Sequence, residues 1–155
     1  MKPVSCASAV ALSLLLIAPH AANAANSDQC EHLKNLITSG TAAELRHRDP
    51  TYNNYFLRHP AAETFVVYCT NDYPAAIRLS WDTGRAPERF FNLVGLTMKS
   101  AYDVDANKSA DIAHSCLSRA LKVGDAVTSK IGKISIECSA FKGTEGGDSV
   151  EIHQE

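Results

Sequence analysis

Two places in the sequence set a histidine two residues from a cysteine: Cys30 and His32 in "CEH", and His114 and Cys116 in "HSC". Such a donor set holds zinc when four ligand atoms converge at roughly 2.0 to 2.3 Å from one ion. A third stretch, "DVDANKSADIAH", places Asp103, Asp105, Asn107, Ser109 and Asp111 at alternate positions, as in an EF-hand-like calcium loop. Oxygen ligands at that spacing suit a hard cation. Lys108, however, stands where a glycine permits the sharp turn, and His114 stands where a bidentate glutamate completes the shell. The loop therefore reads as a weak calcium binder at most, and as a polar turn whose Asn107 or Ser109 caps the next helix. Ser115 and Cys116 beside His114 supply nucleophile and base types, but neighbours on a helix point in different directions. The chain has no Gly-x-Ser-x-Gly elbow, glycine-rich phosphate loop or His-Glu-x-x-His. Carboxylate pairs of glycosidases have no fixed spacing, so a small hydrolase stays the enzymatic alternative. "NKS" at Asn107 matches a three-residue glycosylation acceptor.

The elements that carry these residues decide between metal and disulfide. Cys30, Leu33, Leu36 and Ile37 form a helical stripe, with Ser27 or Asp28 as N-cap and Gly40 after the end. From Ser109 to Lys122, the residues Ile112, Ala113, Cys116, Leu117, Ala120 and Leu121 form a second stripe. Helix positions two apart differ by about 200°, so each histidine points away from its cysteine and neither pair chelates one ion. No metal and no cofactor is expected. Four cysteines remain once a leader is removed, and an even number in a small exported chain reads as two disulfides. Three pairings are open; the pairs preferred here are Cys30 with Cys69 and Cys116 with Cys138.

The export reading rests on the N-terminus. Met1 and Lys2 precede an apolar run from Ala9 to Ala18 and a small-residue exit at Ala22, Asn23 and Ala24, the pattern of a cleaved signal peptide. The run is too short to span a bilayer, which takes roughly twenty residues. Cys6 lies before the run, whereas a lipidated cysteine follows it. Residues 1–24 are thus expected to be a signal peptide and 25–155 a single domain of the periplasm or the secreted fraction. Cleavage removes one basic residue and shifts the formal net charge from −2 to about −3. A nucleic-acid binder needs a clustered basic face, and Arg46, His47, Arg48, Arg58 and His59 make only a thin one. The expected partner is another protein.

Along the chain, "TSGTAAELRHRDPTYNNYFLRHPAAE" shows little periodicity and reads as irregular, with a short helix over 42–47. Period-two patterns follow: Phe65, Val67 and Cys69, then Ile77, Leu79 and Trp81, joined by "NDYP" as a hairpin with one wet face on the second strand. Pro87 opens a helix whose stripe is Phe90, Phe91, Val94, Met98, Ala101 and Tyr102. After the helix at Ser109, Ile134, Ile136, Cys138 and Ala140 mark a strand, and "GTEGGD" turns into Val150 and Ile152. The acidic end, with Glu145, Asp148, Glu151 and Glu155, reads as a soluble edge strand.

The expected fold is α+β: a small domain with an antiparallel sheet of two hairpins and about three helices, stapled by two disulfides. A small exported disulfide-framed domain with no catalytic signature reads as a noncatalytic binding protein, such as an inhibitor, an immunity protein or a subunit of an envelope complex. Its contact surface is expected at Arg46, Arg48, Tyr52, Tyr55, Phe56 and Arg58, because interfaces concentrate Arg and aromatic side chains at their energetic centres. The competing expectation is that Tyr55, Phe56 and Leu57 anchor a long connection in the core.

Overall fold

The computed structural model describes residues 21–69, 75–141 and 147–155, with the backbone alone over 21–27. It is a single α+β domain of three helices and seven strands. Helix α1 spans Ala21–Thr41, α2 Glu88–Tyr102 and α3 Ala106–Val123. The stripes that define them in the sequence are in large part the faces they bury: Cys30, Leu33 and Ile37 on α1, where Leu36 is exposed; Phe90, Phe91, Val94 and Met98 on α2, where Ala101 and Tyr102 are half-buried; Ala113, Cys116, Leu117 and Ala120 on α3. Ile112 and Leu121 are only half-buried at the margins of the α3 stripe. No helix among the described residues is long and apolar enough to cross a membrane.

The helix ends depart from expectation. Helix α1 is already formed at Ala21, ahead of the expected caps Ser27 and Asp28, and it runs through Gly40. Its stop is at Thr41, whose hydroxyl donates to the Ile37 carbonyl at 2.7 Å and accepts from the Ala43 N–H at 3.3 Å. Ala42 then takes the left-handed conformation, φ 57°, that a glycine usually occupies. Pro87 sits just outside α2 as its N-cap. Helix α3 starts three residues before Ser109: the cap is Asp105, whose carboxylate accepts from the Lys108 N–H at 2.7 Å, and not Asn107 or Ser109.

The strands are β1 Glu44–Asp49, β2 Asn54–Arg58, β3 Thr64–Tyr68, β4 Ala76–Trp81, β5 Val127–Ile131, β6 Ile134–Ala140 and β7 Asp148–Gln154. They form one antiparallel sheet in the order β1-β2-β3-β4-β7-β6-β5. The expected hairpins are β3–β4 and β6–β7; the "NDYP" turn and most of "GTEGGD" lie outside the described residues, as do Thr70 and Glu145. Three corrections follow. The segment expected to be irregular, with a helix over 42–47, is the β1–β2 hairpin. The strand β5 was not expected at all. The acidic C-terminal strand is no edge: β7 lies between β4 and β6, and the edges are β1 and β5.

All three helices lie against the sheet side carrying Phe65, Val67, Ile77, Leu79, Ile136, Val150 and Ile152, all 2% exposed or less, which with the helix stripes make one apolar cluster. The alternate residues of the central strands, including Arg78, Ser149, Glu151 and His153, belong to the opposite face. That face is less wet than expected on β4, where Arg78 is half-buried, its Nε donating to Ser149 Oγ at 3.2 Å, and Ser80 is buried, donating to Asp82 Oδ1 at 2.7 Å. The preferred cysteine pairs are the ones formed: Cys30–Cys69 joins α1 to the end of β3, and Cys116–Cys138 joins α3 to β6, each with Cα atoms 5.9 Å apart.

Candidate functional site

The six candidate contact residues all fall on the β1–β2 hairpin, and pairing register sorts them into different places. Glu44 faces Arg58, Leu45 faces Leu57, His47 faces Phe56, Arg48 faces Tyr55 and Asp49 faces Asn54, with a register shift between Leu45 and His47 that leaves Arg46 unpaired. Alternation then puts Tyr55 and Leu57 on the helix-covered side, 3% and 5% exposed, while Phe56 belongs to the opposite side. Tyr55 is a core anchor, as the competing expectation had it: the Lys34 ammonium and the Arg48 guanidinium lie over its ring at 5.6 and 5.3 Å, and its buried hydroxyl has no hydrogen-bond partner. Phe56, half-buried, stacks on His47 with centroids 4.3 Å apart and planes 7° off parallel. Arg58 is paired with Glu44 on the surface, which lowers the Glu44 pKa and raises that of Arg58, through the hydrogen bond first and the charge second.

What remains exposed is the strand edge and the turn. Tyr52 at the turn is 64% exposed and Leu45 on β1 is 49% exposed, flanked by exposed Arg46 and Arg48. The turn is internally held. Asp49 Oδ1 accepts from the N–H groups of Thr51, at 2.8 Å, and Tyr52, at 3.4 Å. The Arg48 guanidinium donates to Asn53 Oδ1, with Nε at 2.8 Å, and Asn53 takes φ 58° to close the turn. Asp-Pro at the turn entrance and Asn at its exit are the signals in the sequence that could have announced a hairpin here. Leu45 and His47 had no such signal: a lone leucine in "ELRHRD" carries no alternation.

The calcium-loop residues do not share one loop. Asp103 ends α2 as its left-handed cap, φ 54°, Asp105 caps α3, and Asn107 and Asp111 are exposed on α3 itself. Only Asp103, Val104 and Asp105 are non-helical, too few to wrap a cation with alternate side chains. Among the described residues no group of three or more His, Cys, Asp and Glu side chains is placed to hold a metal ion.

The described surface carries clefts in several places. One of about 180 Å³ lies between α1 and the end of α2, lined by His32, Leu33, Leu36 and Tyr102; burial pushes the Tyr102 phenol up to about 12, and its hydroxyl has no partner. One of about 300 Å³ lies beside the hairpin, lined by Glu44, Arg58, His59 and Pro60. Another, about 240 Å³, brings His114 and Ser118 near Arg85 and Asp148. There the Asp148 carboxylate is already spent on Arg85 Nη1, at 2.6 Å, and on the Ala86 N–H, at 2.8 Å, and His114 stands edge-on to Phe91. This arrangement ties β7 to the approach of α2; it does not orient a nucleophile.

No family model, no curated protein and no solved structure matches this chain.

Proposed function

We propose that the protein is a noncatalytic binding protein of the periplasm or the secreted fraction, freed by cleavage near Ala24, that contacts another protein through the β1–β2 hairpin. The observation that supports this reading is the division of labour within the hairpin. One side anchors it in the core through Tyr55 and Leu57, while Leu45, Arg46, Arg48 and Tyr52 are left exposed at the sheet edge. Residues kept in solvent on an otherwise anchored element, and rich in Arg and Tyr, are the composition of an interface centre.

The test separates contact from anchor. Tyr55→Ala removes a buried aromatic and is expected to lower stability by about 3 to 5 kcal/mol in urea denaturation. Tyr52→Ala and Arg46→Glu are expected to stay within about 0.5 kcal/mol of the parent, yet to reduce recovery of the partner that co-purifies with the intact chain. If all the surface variants recover that partner as well as the parent does, the hairpin is not the contact surface.

A further inference from the structure

We infer that the hairpin engages its partner by inserting the Tyr52 side chain into a pocket rimmed by carboxylates, with Arg46 and Arg48 alongside, and not by adding a strand to the open edge of β1. This rests on the reading of the hairpin as the contact surface and names the chemistry of what it contacts.

The turn is ordered before any partner arrives. Pro50 fixes one backbone angle, Asp49 holds the N–H groups of Thr51 and Tyr52, and Arg48 holds Asn53, so presenting Tyr52 costs little further ordering on binding. Tyr52 is also the hairpin's one uncommitted aromatic: Tyr55 is buried and Phe56 is stacked on His47. Rigid exposed tyrosines are enriched among residues that dominate binding energy. Strand addition, by contrast, needs a regular edge. The register shift at Arg46 breaks the β1 ladder, and Glu44, Arg46, Arg48 and Asp49 crowd six residues with charge, the devices by which edge strands resist pairing.

The sign of the partner follows from which charges are already used. Glu44 is paired with Arg58, and the Asp49 carboxylate faces backbone N–H groups of its own turn. Among the described residues, neither Arg46 nor Arg48 forms an ion pair; Arg48 bonds the neutral Asn53 side chain. Asp49 keeps its charge, so Arg46 and Arg48 leave the tip one positive charge in excess beside a phenol, and complementarity calls for carboxylates on the facing rim.

A benzophenone amino acid placed at position 52, or at position 128 on the opposite edge strand as a control, identifies the facing protein by cross-linking in the cells that make this chain. The identified protein is then purified and its affinity for the intact chain measured. Position 52 is expected to give an adduct that maps to an acidic pocket, and position 128 none. Tyr52→Ala is expected to weaken binding about 30-fold or more, as for a buried hot-spot aromatic, and Tyr52→Phe by less than about 5-fold. Arg46→Glu is expected to weaken binding mainly through slower association, with the salt dependence reduced. Undiminished affinity of Tyr52→Ala, an adduct on a basic or convex surface, or no adduct at position 52 each overturns the insertion mode. If Tyr52→Ala binds normally while Arg46→Glu does not, insertion fails but the hairpin remains the contact surface. If neither variant matters, both fail.

Discussion

His59 shows how a single side chain can tie this fold to pH. Its Nδ1 accepts the Ala61 N–H at 3.1 Å, a bond that only the form with an unprotonated Nδ1 can make, and burial holds its pKa below the ordinary value of 6.5 despite an opposing hydrogen bond donated to the Thr41 backbone carbonyl. The unfolded chain, with an unshifted imidazole, binds this proton more readily than the folded one. Stability from this group is therefore fully present above about pH 6.5 and is lost as pH falls through the lower folded value. Substituting His59→Gln, which cannot titrate, is expected to remove that part of the decline. The check is the difference in urea midpoint between parent and variant from pH 7.5 downward. A difference that stays constant below about pH 6.5 would show that His59 is not coupled to folding.

At the scale of elements, a close backbone approach lies where α2 meets α3. A Cβ built on Gly95 meets the Ala106 carbonyl oxygen at 2.3 Å and Ala110 Cβ at 3.3 Å, and the first contact is backbone, which cannot swing aside. Gly95→Ala gains helix propensity, but the helices must separate to admit the methyl, and a net loss of about 1 to 3 kcal/mol is expected in thermal or urea unfolding. A neutral or stabilised variant would contradict this close approach. The same helices were the most legible part of the sequence, because each buries one broad stripe against the sheet and leaves the rest wet. Strands were legible where both neighbours exist and one side is covered: β3, β4, β6 and β7 alternate visibly. β2 has both neighbours too, but Tyr55, Phe56 and Leu57 run apolar without alternation, and it was missed along with the two edge strands. Every residue of β1 from Glu44 to Arg48 is exposed, and β5 has Ser129 where a third apolar residue would complete its pattern, so neither writes a period of two. The acidic residues of the C-terminal end suggested an edge, whereas Glu151 belongs to the side of the sheet that no helix among the described residues covers. Half of the candidate site was legible for the same reason: residue type selected Arg46, Arg48 and Tyr52, but only the register separates them from Tyr55, which the same composition argument had included.

For the molecule as a whole, the strand order divides the chain in two. β1 to β4 follow one another as neighbours, and so do β5, β6 and β7; among the described residues the only pairing between the two groups is β4 with β7. Each disulfide stays on its own side of that seam, over sequence separations of 39 and 22 residues. Loops of that length are worth about 3 to 4 kcal/mol each if the constraint acts on the unfolded chain. Replacing either pair, Cys30→Ala/Cys69→Ala or Cys116→Ala/Cys138→Ala, is expected to cost about that much. In each variant the surviving bridge is expected to re-form during oxidative refolding, as read by trapping free thiols over time. A bridge that closes only when the other is present would refute this independence. The arrangement also fixes where folding has to wait. Seven strands give six pairings, and five of them join segments close along the chain, whereas β4 and β7 find each other across both α2 and α3, the largest loop closure the sheet requires. No covalent bond shortens that search. The seam is thus the pairing with the largest closure cost, and it is expected to form after the pairings within each cross-linked half.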